Sequence, residues 1–114
     1  MLDYGPDAIL MKGLDGRNWR LKDYEARDGY AALELFERYS AEIEAVVIDL
    51  ILPGLSPAAV GDEIRRLKND ARVLYTSARP EQARLYANER FLRKPYWFTE
   101  LVCMLQEMMA SAHQ

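Results

Sequence analysis

The 114-residue chain contains one cysteine and one histidine. With Cys103 alone, an internal disulfide and a cysteine-built zinc site are excluded. His113 is next to last, so histidine-centred catalysis is not expected. No apolar run approaches the roughly 18 residues of a membrane helix, and the first residues lack a basic-then-apolar leader pattern. The 15 Lys and Arg residues are scattered among 18 Asp and Glu, so the dense basic stripe of a nucleic-acid binder is missing. Low-complexity tracts and internal repeats are missing as well. What remains is a chain that is 50% hydrophobic and 29% charged, expected to be one cytoplasmic domain touching neither membrane nor nucleic acid. A domain of this length buries roughly 65% of its unfolded surface.

The strongest local signal is Ala45-Val46-Val47-Ile48-Asp49-Leu50, a strand with both faces buried, as in a parallel sheet. Leu52-Pro53-Gly54 stops it. Before it, Ala32, Leu35, Phe36, Tyr39 and Ile43 follow helical spacing after an Asp28-Gly29 turn, and Tyr24-Glu25-Ala26 reads as a short strand. After it come a helix over 57–68, the strand Val73-Leu74-Tyr75, a short helix over 80–88 and the brief strand Phe91-Leu92. Leu101, Val102, Leu105, Met108 and Met109 mark the core stripe of a last helix. Strands and helices alternating in this way predict an α/β fold with a doubly wound parallel sheet, its strand C-termini on one edge.

Three polar residues fall where strands should end: Asp49, Thr76 and Lys94. A carboxylate behind four buried apolar residues is costly unless it meets water, a cation or a partner charge. A lysine beside it balances its charge, and a hydroxyl can donate a hydrogen bond. That trio suits a carboxylate that attacks a phosphoryl group, with donors ready for the incoming oxygens. A purely structural Asp–Lys pair at a strand edge fits the spacing too.

Asp49-Leu50-Ile51-Leu52-Pro53-Gly54, Leu74-Tyr75-Thr76-Ser77-Ala78 and Phe91-Leu92-Arg93-Lys94-Pro95-Tyr96 together resemble a CheY-like receiver domain of bacterial two-component response regulators. The stretch from Glu25 to Leu35 resembles that family's second strand and second helix. The resemblance runs from about Tyr24 to the C-terminus and implies a flavodoxin-like fold of about five strands with helices on both faces. It divides the single domain 1–114 into an atypical part, 1–23, and a receiver-like part, 24–114. It implies that Asp49 accepts a phosphoryl group from a histidine kinase or phosphotransfer protein. Thr76 is then the hydroxyl that moves toward the phosphate, with Ser77 as the alternative, and Lys94 contacts the phosphoryl oxygens. Phe91 takes the place of the switch aromatic, and the Lys94–Pro95 bond is expected cis. Mg2+ is implied as cofactor, held by Asp3, Asp49 and the backbone carbonyl of Ile51.

The first residues depart from that pattern. Receivers open with an apolar strand ending in two adjacent acids. Here Asp3 matches the first acid, Tyr4 replaces the second, and only two residues precede Asp3. Magnesium is held by few carboxylates, so the loss of one weakens the site. The following segment is a poor helix, because Gly13 and Gly16 cost about 2 kcal/mol relative to alanine. Two arrangements stay open: a receiver-like first helix, or a hairpin around Asp15-Gly16 in which residues 9–12 fill the vacant strand position. Trp97 reads either as an anchor for a partner or as cover for the core, and the last helices offer a homodimer contact.

The leading expectation is therefore a signalling receiver, not an enzyme, with at most magnesium-dependent self-phosphorylation and dephosphorylation at Asp49. Its output is contact with a downstream protein. The alternative is a degenerate receiver that binds or dimerises without phosphorylation, the reading Tyr4 favours. A phosphohydrolase is disfavoured, since residue 51 is isoleucine and supplies no acid/base carboxylate.

Overall fold

Val46, Val47 and Ile48, all fully buried, form the middle of a five-stranded sheet. The computed structural model describes residues 9–15, 18–51, 54–79, 81 and 89–110. Its strands are β1 (Ile9–Asp15), β2 (Asn18–Ala26), β3 (Ile43–Asp49), β4 (Arg72–Ser77) and β5 (Arg90–Arg93), in the spatial order β2-β1-β3-β4-β5. The helices are α1 (Gly29–Tyr39), α2 (Pro57–Leu67) and α3 (Phe98–Ala110). That strand order is the flavodoxin-like 2-1-3-4-5.

Alternation along β3 sends its side chains into two cores. Val46 and Ile48 join Phe36 of α1 and Val60 and Ile64 of α2 on one face. Ala45 and Val47 join Leu101, Leu105 and Met108 of α3 on the other. Each such aliphatic side chain contributes about 2 kcal/mol of burial, which explains the unbroken apolar run from Ala45 to Ile48 before Asp49. Helix starts follow from local chemistry. The Asp28 carboxylate accepts from the Ala31 N–H at 2.8 Å, and the Ser56 hydroxyl accepts from the Ala59 N–H at 3.2 Å, with proline opening α2. Trp97 precedes α3 without a capping hydroxyl. Instead the Glu100 carboxylate accepts from the Trp97 N–H at 3.0 Å, half of a capping box.

Two glycines are required by position. Gly54 has φ +85°, the left-handed region, in the turn after β3. At Gly61, α2 passes so close over β4 that a Cβ would overlap the Tyr75 hydroxyl. At the β2 edge of the sheet, the Tyr24 hydroxyl donates to the Glu42 carboxylate at 2.6 Å and its ring stacks on Tyr39 at 4.8 Å. That hydrogen bond to a carboxylate pushes the Tyr24 hydroxyl up to about 12.

The layering expected of a receiver is present, and β3, β4 and β5 run parallel. The departure is β1, which pairs antiparallel with both β2 and β3. Of the two arrangements open for the first residues, the structure has the hairpin. Ile9 stands opposite Ile48 and Lys12 opposite Ala45, so β1 fills the vacant central position in the reverse direction. The physical reason is the connection. A helical crossover returns the chain to run parallel, whereas a connection of only two residues, between Asp15 and Asn18, leaves room for an antiparallel return alone. Because β1 alone is reversed, the other four strands share one direction. The helix expected over 80–88 lies outside the described residues apart from Glu81. Cys103 is exposed and free, Met104 packs partly buried against α3's core, and Trp97 is 49% exposed.

Candidate functional site

The register of the parallel strands builds the site. Asp49, the last residue of β3, pairs with Thr76 of β4, and Thr76 pairs with Leu92 of β5. Two residues after Leu92 the chain reaches Lys94, whose N–H donates to the Ser77 carbonyl at 2.9 Å. The Leu50 N–H donates to the Thr76 carbonyl at the same distance. These two backbone bonds carry the pairing past the strand ends and fix Lys94 beside Asp49. The Lys94–Pro95 peptide is cis.

Asp49 is 4% exposed, Lys94 7% and Thr76 1%. Both carboxylate oxygens of Asp49 are engaged: Oδ1 accepts from the Ile51 N–H at 2.8 Å, and Oδ2 accepts from the Lys94 ammonium. A buried carboxylate with a cation and a backbone donor is compensated, as the strand pattern required. The Thr76 hydroxyl is different. It is buried and has no hydrogen-bond partner among the described residues. Ser77, the alternative hydroxyl, is already used, since its Oγ accepts from the Arg79 N–H at 3.1 Å in the turn after β4. Phe91 pairs with Tyr75, one step before the Thr76–Leu92 pair, and packs partly buried against the α1–α2 core. The structure thus brings Asp49, Thr76 and Lys94 together. Asp3 lies outside the described residues.

The sequence pattern missed two features of this edge. Besides the carbonyl that the resemblance implies as a metal ligand, Ile51 supplies its N–H, which ties down Asp49 in an Asx-type turn that an aspartate two residues upstream could have signalled. Ile51 and Tyr30 are also exposed large hydrophobic side chains on the rim, 57% and 64%. Tyr30 is within reach of the β3–α2 turn, where a Cβ on Gly54 would lie 3.3 Å from its ring. Exposure of this kind cannot be read from periodicity.

Magnesium takes one or two carboxylates together with phosphate oxygens and water. Asp49 and the Ile51 carbonyl meet the lower end of that requirement at the strand edge. Among the described residues no group of three His, Cys, Asp or Glu side chains could hold a metal ion. Nor is any described helix long and apolar enough to cross a membrane.

No family model matches the chain. It is 30% identical over 111 residues to the sensor kinase CckA of Brucella abortus (strain 2308). That match takes in 90% of the chain and 12% of the relative, so the chain spans about an eighth of that protein's length. Its structure superposes on the crystal structure of a response regulator receiver domain protein from Clostridium thermocellum with a TM-score of 0.68. Identity there is 22%, over 77% of this chain and 74% of the other. With this strand order, this edge and these likenesses, the chain has the receiver fold and resembles the CheY-like receiver domains of two-component response regulators.

Proposed function

We propose that residues 1–114 work as one receiver domain that accepts a phosphoryl group on Asp49 from the phosphohistidine of a histidine kinase or phosphotransfer protein. The observation that supports this reading is the buried trio at the strand edge, above all the Thr76 hydroxyl, which has no partner among the described residues, beside a paired Asp49 and Lys94. A buried orphan hydroxyl costs about 1–3 kcal/mol, and an incoming phosphoryl oxygen would relieve that cost.

In the step itself, an Asp49 carboxylate oxygen attacks phosphorus as the phosphorus–nitrogen bond to imidazole breaks. The bonding pair returns to the imidazole nitrogen, which regains a proton from solvent. The Lys94 ammonium follows the charge from the Asp49 carboxylate to the phosphoryl oxygens, and the Ile51 N–H keeps the remaining carboxyl oxygen in place. Thr76 then donates to a phosphoryl oxygen. Its movement frees space beside β5, and Phe91 repacks, passing the change to the surface that contacts a downstream protein. Asp49 and the Ile51 carbonyl, with Asp3, would hold a magnesium ion, which when bound supplies positive charge to the phosphoryl oxygens.

A second reading, a module that binds or dimerises without phosphorylation, draws on β1. Its reversed direction carries its C-terminal end, Asp15, to the edge opposite Asp49. Acids at the end of that strand therefore do not reach the site. The two readings separate on intact mass after incubation with phosphoramidate and magnesium. Gain of one phosphoryl group by the wild type and not by Asp49→Asn is the result expected of a receiver. No gain by a folded protein would leave the binding module.

A further inference from the structure

At the opposite end of the parallel strands lies a cavity of about 430 Å³. Its lining includes Arg65 of α2, Arg72 at the start of β4 and Arg90 at the start of β5. Asn69 and Asp70, in the turn between α2 and β4, Ala71 and Val73 beside Arg72, and Met108 of α3 complete the wall. Thr76 lies four positions along β4 from Arg72, roughly 13 Å, so this is not the Asp49 site.

The three guanidinium groups are used unequally. Arg65 makes a bidentate pair with Glu89 at 2.9 and 2.5 Å, which lowers the Glu89 carboxyl and locks the Arg65 fork in place. Arg72 donates to the carbonyls of Met108, at 3.1 Å, and Asp70, at 2.5 Å, and so is oriented by neutral acceptors that leave its charge unmatched. Arg90 is exposed and has no hydrogen-bond or ion-pair partner among the described residues. Two positive charges therefore face one cavity, and among its described lining residues the one carboxylate is that of Asp70. The strand register keeps them there, since Arg90 pairs with Leu74, two residues along β4 from Arg72.

We infer that this cavity is a binding site for a phosphate-bearing small molecule. The guanidinium groups that face it, Arg72 and Arg90, come from two neighbouring strands, an arrangement suited to a tetrahedral oxyanion with acceptors in several directions rather than to a planar carboxylate. None of its described lining residues is aromatic, so nothing there stacks a nucleobase, and recognition rests on the phosphate. The inference goes beyond the phosphotransfer reading and does not depend on it.

The test is a titration of the full chain with inorganic phosphate, pyrophosphate and succinate at constant ionic strength, followed through backbone amide NMR shifts. Saturable shifts at residues 69–73 and 90 with phosphate or pyrophosphate are expected, with succinate far weaker. Arg90→Ala, an exposed change that leaves the core intact, should weaken the binding roughly tenfold. Three results would overturn the assignment: equal binding of succinate, non-saturating shifts, or shifts confined to the Asp49 edge.

Discussion

Replacing Thr76 by valine should make the protein more stable while disabling its switch. Thr76 is 1% exposed, and its hydroxyl is buried without a partner among the described residues. Valine has the same branched shape, so the β4 packing against β3 and β5 is retained. The change removes only the desolvated hydroxyl. An unsatisfied buried hydroxyl costs about 1–3 kcal/mol, and the added methyl brings its own burial, so a gain near 1 kcal/mol is expected. Urea denaturation reads it directly. For a chain of this size the slope is about 2 kcal/mol per molar, so the midpoint should rise by roughly 0.5 M with the slope unchanged. Thr76→Ser is the control, since it retains the hydroxyl and loses the methyl, and it should destabilise by about 1 kcal/mol. A Thr76→Val protein clearly less stable than wild type would refute the reasoning, because it would mean that the hydroxyl has a partner it needs. Such a trade of stability for function is the usual character of a working site.

Gly61→Ala tests the close passage of α2 over β4. The new methyl meets the Tyr75 hydroxyl and should cost about 1–3 kcal/mol despite alanine's better helix propensity, whereas adding Tyr75→Phe should return most of the loss in the same denaturation assay. Lys94→Ala leaves Asp49 buried without its cation and should cost about 3 kcal/mol by chemical denaturation. Asp49→Asn/Lys94→Met, which removes both charges, should fall within about 1 kcal/mol of wild type. Tyr24 carries a pH signature. Its folded value is raised from 10.0 to about 12, so its contribution is fully present below pH 10 and disappears as pH rises toward 12. Carbon NMR of the labelled tyrosine rings should show that late titration, and Glu42→Gln should move it back toward 10.

Much of the site was legible because it sits where strand signals end. The run before Asp49 announces a buried strand, and Thr76 and Lys94 follow the next two apolar segments. Parallel register then does the rest, placing Asp49 against Thr76. The helix stripes were legible for the same reason, since Phe36, Ile64, Leu101 and Leu105 recur at the helical period and all reach the core. The direction of β1 was not legible. Residues 9–12 are apolar enough for either a helix face or a strand, and Asp15-Gly16 serves equally as a helix breaker or a hairpin turn. Only pairing with β3, a contact more than thirty residues distant, selects the strand. The Arg65–Glu89 pair and the cavity beside it were invisible for a related reason. Arg65 and Arg66 look alike on a helix, yet Arg66 pairs within its own helix, with Glu63, while Arg65 reaches across to the approach of β5.

The central claim is that Asp49 is the atom-level acceptor of a phosphoryl group, and reductive trapping tests it most directly. After incubation with phosphoramidate and magnesium, borohydride converts an aspartyl phosphate to homoserine, which peptide mass spectrometry locates by residue. The account predicts homoserine at position 49, absent when the phosphodonor is left out. An unchanged Asp49 in a protein shown to be folded, or homoserine at another aspartate, would contradict it.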